Sequence, residues 1–362
     1  MKKKIDNSQL KIVFKGGHQG ETIIIRTPSG KWGLIDCYSK KADDLVEYLK
    51  ENNINEIEFL CITHPHTDHY KGIKNLIEKI DIKNVYLYES LKNTILLFRA
   101  NFAKKYNDIE LITSNKELRE AIELIHNNPS ISLHSLINRT TILNENGLEI
   151  KCIAPSKGFI NHLDEASYEL LHTSQTTITI EDNSQKKANS LINSYSGVII
   201  LKYKNIEILF AADAEKSNWE EIASYFLTEN NNITVYKVSH HGSENGITEL
   251  LLGNKNINEN SFSIIFPFIK NFLPDNEIID KLKRLNNHEI LTLCSLANVD
   301  SRQEWENIIK DSKVLTEYDN YSSIENNVTC QKNDNNIFGI IEMTINNNSE
   351  VKYKLKGNAV KL

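Results

Sequence analysis

The chain has 362 residues, 40% hydrophobic and 25% charged, which is the composition of a globular protein with a sizeable core. Its net charge of −6 excludes an overall basic field that would recruit long nucleic acids, although a local basic patch is compatible with it. The lysines at the amino terminus are not followed by an apolar run, and no stretch of about 18 apolar residues occurs, so we expect a soluble cytoplasmic protein without membrane contact.

The cysteines are scattered and none has Cys-x-x-Cys spacing, which argues against a disulfide framework and against a thiolate zinc site. Cys37, Cys61 and Cys152 lie in apolar, strand-like surroundings. We therefore predict that they are small buried hydrophobic residues rather than reactive thiols.

The first part of the chain alternates strands with helices. Apolar and β-branched runs predict strands at 10–14, 22–26, 32–36 and 56–62, and helical spacing predicts helices at 41–52 and 72–80. This order predicts a layered α/β body.

Between the strand 56–62 and the helix 72–80 lies the densest group of metal-ligand side chains in the sequence. The loop reads His64-Pro65-His66-Thr67-Asp68-His69. Imidazole nitrogens and carboxylate oxygens are the ligands that borderline divalent metals prefer. A loop at the end of a buried strand is held rigidly yet open to solvent, so we expect a metal site here.

The middle and the end of the chain elaborate this body. We predict an insertion near 88–140 with a helix at 115–126 that begins at a Ser114–Glu117 capping box, and a surface insertion near 156–188. His126 and His134 lie in the first insertion and are expected at the surface. Further strands are predicted at 141–143, 148–153, 196–203, 206–210, 235–238, 262–266, 290–294, 338–345 and 350–355, and helices at 216–225 and 275–285. Without a linker or a repeat, residues 1–362 are expected to form a single domain whose segment 296–362 is an elaboration.

Two further strand ends carry candidate ligands. Asp213 follows the apolar strand 206–210 directly, and burying it unpaired would cost several kcal/mol unless a metal or a histidine compensates. The alternative is that Asp213 caps the helix that follows. His240 and His241 end the strand 235–238 at a glycine turn. Histidine and carboxylate loops at successive strand ends suit a centre in which an Asp bridges two metals and water is activated.

Together, these residues resemble the metallo-β-lactamase superfamily. The resemblance rests on His64-x-His66-x-Asp68-His69, the strand end at Asp213 and the run 240–243, and it covers most of residues 10–295. The set is most similar to the hydrolase domain of ComEC-type DNA-internalisation competence proteins, whose membrane-spanning part has no counterpart here.

The resemblance implies a four-layer αββα sandwich with two divalent ions in a cleft at one edge, zinc favoured and manganese an alternative. It places His64 and His66 on the first ion, Asp68 and His69 on the second, and Asp213 between them. It makes His240 the likelier ligand of its pair, and leaves His241 behind the ligands or facing the substrate, as a catalytic residue with Asp68 and Asp213.

The chain departs from the family pattern at several positions. Glu21 stands where an Asp is common, Cys37 and Ala212 stand where glycines are usual, and Leu273 stands where relatives often carry a histidine. Leucine binds neither metal nor phosphate, so one contact of the family is missing.

The expected function is metal-dependent hydrolysis of a phosphodiester through a metal-activated water, with single-stranded nucleic acid or a nucleotide as substrate. One alternative is a carboxylic ester or lactone hydrolase, because the same chemistry attacks carbonyl groups. Another is a metal-binding interaction or regulatory module whose catalysis has decayed.

Overall fold

The computed structural model describes residues 9–17, 19–39, 43–89, 109–176, 189–227, 231–252, 256–268, 271, 273–294 and 339–362. Their strands, in chain order, are β1 Leu10–Gly16, β2 Glu21–Arg26, β3 Trp32–Ile35, β4 Glu56–Ile62, β5 Asp81–Tyr88, β6 Ser132–Leu136, β7 Thr141–Glu145, β8 Leu148–Ala154, β9 Val198–Tyr203, β10 Ile206–Phe210, β11 Ile233–Lys237, β12 Ile257–Ile265, β13 Glu289–Thr292, β14 Gly339–Ile345, β15 Val351–Gly357 and β16 Val360–Lys361.

These strands form two sheets of eight strands each. The first has the order β15-β14-β1-β2-β3-β4-β5-β6, and the second has the order β16-β13-β12-β11-β10-β9-β8-β7. Strands β3 to β6 run parallel in the first sheet, and β10 to β13 run parallel in the second. The carboxyl ends of the strands within each parallel set therefore meet at one edge of their sheet.

Helices cover the outer face of each sheet. They are α1 Asp44–Glu51, α2 Thr67–Tyr70, α3 Ile73–Lys79, α4 Ile109–Asn127, α5 Lys157–Thr176, α6 Lys216–Ala223, α7 Glu249–Leu252 and α8 Asn276–Lys283. Side chains from α1, α3, α4 and α5 pack with the outer face of the first sheet, and those from α6, α7 and α8 pack with the outer face of the second.

The two sheets face each other across a shared apolar core. Phe14 and Phe59 of the first sheet belong to the same buried cluster as Phe210 and Val235 of the second. Alternate residues of one strand point to opposite faces of the sheet. Ile12 and Phe14 pack in the core between the sheets, whereas Val13 packs against the helices. This explains why the strands are almost continuously apolar. The resulting four-layer αββα sandwich confirms the fold class expected from the sequence.

Most predicted elements are confirmed within a few residues, but two helices differ. Helix α4 begins at or before Ile109, so a start at Ser114 is wrong. The Ser114 hydroxyl lies inside the helix and hydrogen-bonds to Thr67 Oγ and Tyr70 Oη, both at 2.9 Å, instead of capping. Helix α5 occupies much of 156–188, which was expected to be only a surface insertion.

Helix α5 is anchored by an apolar stripe in a polar sequence. Ile160 and Leu163 are buried on the outer face of the first sheet, and their spacing of three residues is helical. Strand β6 lies beside β5 within the predicted insertion 88–140, and therefore extends the first sheet. Of the segment 296–362, residues 339–362 contribute β14 and β15 to the first sheet and β16 to the second, while residues 296–338 lie outside the described residues.

Cys37, Cys61 and Cys152 are buried free thiols, as predicted. Burial raises the pKa of each thiol, so all three remain protonated near neutral pH. Among the described residues, no helix combines the length and the apolar character that crossing a bilayer requires.

The contact between β3 and β4 yields a prediction about stability. Gly33 pairs with Phe59, and a Cβ added at Gly33 would lie 2.1 Å from the Phe59 ring. We expect Gly33→Ala to lower the free energy of unfolding by about 1–3 kcal/mol, because the buried ring has no free space. Urea denaturation followed by circular dichroism measures this change.

Gly158→Ala is the matched control, since the nearest atom to a Cβ added at this exposed helical position, Ser156 Oγ, is 3.9 Å away. This change should alter stability by less than about 1 kcal/mol, in the stabilising direction. Equal effects of the two substitutions would contradict the assignment of close packing to Gly33.

Candidate metal centre

The candidate ligands lie in loops that leave the carboxyl ends of neighbouring parallel strands. Loop 63–70 follows β4, and Asp36 follows the adjacent β3. In the second sheet Asp213 follows β10, and the run 239–243 follows the adjacent β11. The sandwich brings these strand ends together from both sheets, so residues far apart in sequence share one site.

One group of metal-ligand atoms consists of His64, His66 and Asp213, whose candidate atoms lie within 4.8 Å of one another. His64 Nε2 is 3.1 Å from His66 Nδ1 and 3.8 Å from Asp213 Oδ2. Burial, reinforced by the neighbouring His69, lowers the pKa of His64 well below its usual value. The ring is therefore neutral, which is the form that binds metals.

A second group consists of Glu21, His69, Asp213 and His241, all buried. His69 Nε2 lies 3.5 Å from Asp213 Oδ1, and His241 Nε2 lies 3.5 Å from Asp213 Oδ2. Asp68 Oδ2 is next to both rings, 3.0 Å from His241 Nε2 and 3.5 Å from His69 Nε2. Asp213 is therefore common to both groups.

The far sides of the two buried imidazoles are anchored by the protein. Asp36 Oδ2 accepts a hydrogen bond from His69 Nδ1 at 2.8 Å, and the Phe266 carbonyl accepts one from His241 Nδ1 at 2.9 Å. These contacts place a proton on Nδ1 of each ring, so a cation would replace the second proton, at the Nε2 atoms that face Asp213.

The remaining polar atoms fit a divalent cation. His69 Nε2 and Asp213 Oδ1 are buried and make no hydrogen bond among the described residues. Buried polar atoms are almost always satisfied, and these two nitrogen and oxygen atoms belong to ligand types that zinc and manganese accept. The donor set thus matches a divalent cation.

The electrostatics of the cluster support the same interpretation. Burial favours neutral forms of both Asp213 and His69, yet the imidazoles around Asp213 lower its pKa well below the usual value. Burial lowers the pKa of His69, but the carboxylates of Asp213, Asp68 and Asp36 outweigh it and raise that pKa well above the usual value. The carboxylates therefore create a strong local preference for positive charge, which a metal cation satisfies.

The structure brings His241, and not His240, into the cluster, which reverses the order expected for the pair. His240 Nε2 is instead 3.2 Å from Asn193 Nδ2, and His240 Nδ1 is 3.1 Å from Asn245 Oδ1. Its side chain is 19% exposed, compared with 3% for His241. His240 therefore lies at the rim of the site.

The turn at the end of β11 decides this orientation. His240, His241 and Gly242 all have left-handed backbones, with φ of 46°, 55° and 84°. Two consecutive left-handed non-glycine residues are strained. The turn is held by hydrogen bonds from His240 N to the Ala212 carbonyl and from Asp275 N to the Gly242 carbonyl, both of 3.0 Å. It points one imidazole inward and the next to the rim.

Asp213 does not cap the helix that follows it. The N-cap of α6 is Glu215, which exchanges hydrogen bonds with Asn218 in a capping box. Glu215 also accepts a hydrogen bond from Asn193 Nδ2 at 2.7 Å. The carboxylate of Asp213 is therefore free to serve the cluster.

Sequence reasoning gave no role in the site to Asp36, Lys237 or Glu21. Asp36 ends an apolar strand as Asp213 does, so the same pattern could have revealed it. In the sequence, Lys237 resembles an ordinary strand residue. Only the structure indicates its role in the site, because the residue is completely buried.

Two other histidines lie apart from the cluster. His134 stacks on Tyr86, with ring centroids 4.7 Å apart, and its Nε2 is 3.2 Å from Asn84 Oδ1. His126 is exposed near the end of α4. Leu273, the position that departs from the family pattern, forms a backbone bridge with Phe268, whose ring centroid is 4.9 Å from that of His241.

Comparison with known proteins is consistent with this geometry. Residues 16–129, which include His64, His66, Asp68 and His69, match the model of the metallo-beta-lactamase superfamily. A curated relative, exodeoxyribonuclease YycJ of Bacillus anthracis, is 30% identical over 112 residues. This match spans 27% of the chain and only 42% of the length of that relative.

Similar solved structures include a diphosphatase from the PhnP family, with a TM-score of 0.39, 10% identity and coverage of 77% of this chain and 94% of the other. Another is a possible metal-dependent hydrolase from Veillonella parvula DSM 2008, with a TM-score of 0.32, 12% identity and coverage of 71% and 84%. The two-sheet αββα architecture itself is consistent with the metallo-β-lactamase fold, and residues 16–129 match the superfamily.

Asp36 provides a test of how the site is anchored. Its carboxylate accepts hydrogen bonds from Thr63 N at 2.8 Å, from Thr63 Oγ at 2.9 Å and from His69 Nδ1. Asp36→Asn turns one acceptor into a donor that faces a donor, so we expect the free energy of unfolding to fall by about 1–3 kcal/mol. Its φ of 57° is compatible with Asn, so backbone strain does not contribute.

Asp81→Asn serves as the control, because Asp81 is exposed at the start of β5 and should change stability by no more than about 0.5 kcal/mol. Chemical denaturation of both metal-free variants provides the comparison. A loss at Asp36 no larger than that at Asp81 would refute the anchoring role.

Proposed function

We propose that the protein is a metal-dependent hydrolase that holds two divalent ions and cleaves a phosphodiester, with single-stranded nucleic acid or a nucleotide as substrate. Zinc is the favoured metal and manganese the alternative. Within the superfamily we propose that its nearest functional counterpart is the hydrolase domain of ComEC-type competence proteins.

The observation that carries this proposal is the position of the Asp213 carboxylate. Oδ2 lies 3.8 Å from His64 Nε2 and 3.5 Å from His241 Nε2, and Oδ1 lies 3.5 Å from His69 Nε2. One buried carboxylate thus serves both groups of nitrogen ligands. We assign His64, His66 and Asp213 to one ion and Asp68, His69, His241 and Asp213 to the other.

When bound, a pair of divalent ions supplies Lewis acidity, lowers the pKa of water and stabilises both the attacking and the leaving oxygen of a phosphoryl displacement. The protein positions the side chains that would hold these ions. Asp36 and the Phe266 carbonyl orient the imidazoles of His69 and His241, and Asp213 keeps both groups in register. His240, partly exposed at the rim, lies where it would meet the substrate rather than the metals.

The charge of the chain favours small or single-stranded substrates. Tight binding along a duplex requires many lysine and arginine contacts with phosphates, and the net charge here is −6. A superfamily match and a curated relative called an exodeoxyribonuclease support phosphodiester chemistry.

Metal content tests the ligand assignment. Wild-type protein should bind up to two divalent ions. The double variant Asp68→Ala/His69→Ala should lose about half of the metal, because the ligands His64 and His66 remain. Elemental analysis after dialysis measures both values.

His162→Ala is the matched control, since that histidine side chain is 81% exposed and makes no contact with the cluster. It should retain full metal content. Full occupancy in the Asp68→Ala/His69→Ala double variant, or no metal in the wild type, would contradict the assignment.

Turnover tests the reaction. With zinc and manganese supplied separately at fixed salt, we expect hydrolysis of bis-p-nitrophenyl phosphate and of single-stranded DNA, RNA or cyclic nucleotides. Asp213→Asn should lower this activity by several orders of magnitude while the fold survives, because both ligand groups lose their shared carboxylate.

A panel of lactones and carboxylic esters is assayed in parallel. Activity confined to that panel would replace the phosphodiester proposal with the carbonyl-hydrolase alternative. Full metal content without turnover on any substrate would instead favour a metal-binding module whose catalysis has decayed.

A further inference from the structure

A buried lysine lies directly behind the candidate metal centre. The Lys237 side chain is 1% exposed, and its Nζ is 2.6 Å from Glu21 Oε1, which is equally buried. The same ammonium donates a hydrogen bond of 2.7 Å to the Ala212 carbonyl and lies 3.8 Å from Asp213 Oδ1. A lysine is almost never buried to this extent unless it is paired.

Glu21 contacts the Nδ1 atoms of the imidazoles and belongs to the same buried group as Asp213. Its carboxylate is 3.4 Å from His241 Nδ1 and 4.0 Å from His69 Nδ1, whereas the Nε2 atoms of both rings face Asp213. Glu21 therefore contacts both rings at their Nδ1 atoms while its carboxylate lies within 4.8 Å of a ligand atom of Asp213.

This ion pair joins the two sheets at the site. Glu21 begins β2 of the first sheet, and Lys237 ends β11 of the second. His69 likewise comes from the first sheet, through the loop after β4, and His241 from the second, through the turn after β11. The distance between these two ligands therefore depends on how the sheet edges are held together.

The contact with Ala212 extends the same effect to Asp213. Ala212 has a left-handed backbone with φ of 46°, and its carbonyl accepts hydrogen bonds from both Lys237 Nζ and His240 N. The residue that follows it is Asp213, and the ammonium lies nearest to Oδ1, the oxygen that faces His69, whereas Oδ2 faces His64.

We propose that Glu21 and Lys237 are positioning residues whose buried ion pair sets the geometry of the His69–His241 side of the metal centre. The pair is required for tight binding of the ion on that side and not for binding at His64 and His66. This inference rests on the metal site of the proposed function.

The experiment compares Lys237→Met, Glu21→Gln and the double variant. Removal of one partner leaves an uncompensated buried group and destabilises the fold, whereas removal of both avoids this cost. A purely structural pair would therefore recover both stability and metal affinity in the double variant. A positioning pair recovers the thermal unfolding midpoint of the metal-free protein but not the affinity.

A second set of substitutions measures metal binding at each side of the centre separately. In a His66→Ala background, which retains the His69–His241 side, Lys237→Met/Glu21→Gln should weaken Co²⁺ binding about 10–100-fold and alter its visible absorption spectrum. In an Asp68→Ala/His69→Ala background, which retains His64 and His66, the same pair of changes should leave Co²⁺ affinity unaltered.

Asp164→Asn is the control for general loss of buried contacts, since Asp164 is buried and accepts a hydrogen bond of 2.6 Å from Tyr195 Oη. It should lower the unfolding midpoint without changing Co²⁺ affinity.

Wild-type Co²⁺ affinity in the Lys237→Met/Glu21→Gln protein would overturn this proposal and leave the proposed function intact. Equal weakening in both backgrounds would also overturn it, because the effect would not be confined to one side. Absence of Co²⁺ binding by the wild type would overturn the proposed function itself, and that result is visible before any variant is made.

Discussion

The buried carboxylate of Asp213 is the constraint on which the rest of the site depends. It is 2% exposed at the end of β10, where an uncompensated charge would cost several kcal/mol. Its surroundings compensate that charge with the imidazoles of His69 and His241 and with the ammonium of Lys237. These partners come from both sheets, so Asp213 can be buried only if the sandwich is assembled.

The apolar core supplies the rigidity that such a site needs. The strands that carry the ligands are buried on both faces, by the shared core between the sheets and by the helix layers outside them. Close packing on both sides leaves little freedom for the strand ends. Each loop then adds its own anchor, Asp36 for His69 and the Phe266 carbonyl for His241, so that the protein alone orients these candidate ligand atoms.

Four residues at this edge have a strained backbone. Asp36, Ala212, His240 and His241 all have positive φ, a conformation that costs a non-glycine residue about 1–2 kcal/mol. The surrounding hydrogen bonds hold them there, and each strained residue is a member or a direct neighbour of the cluster. Strain of this kind persists where the structure over-determines a functional geometry. Here its effect is to direct adjacent side chains to different sides of the site.

The sequence by itself determined most of the strands, a layered α/β body and the positions of the three loops with candidate ligands, because periodicity and strand-end polarity are local properties of the chain. The four-layer arrangement was implied by the family resemblance. The sequence also singled out Asp213, since a carboxylate after an apolar strand needs a partner wherever the fold places it. Only the tertiary structure decided between His240 and His241, joined Glu21 to Lys237, and assigned Ser114 to the interior of a helix. These features depend on backbone turns and on contacts between distant segments, and two adjacent histidines have the same local chemistry until a turn directs one inward.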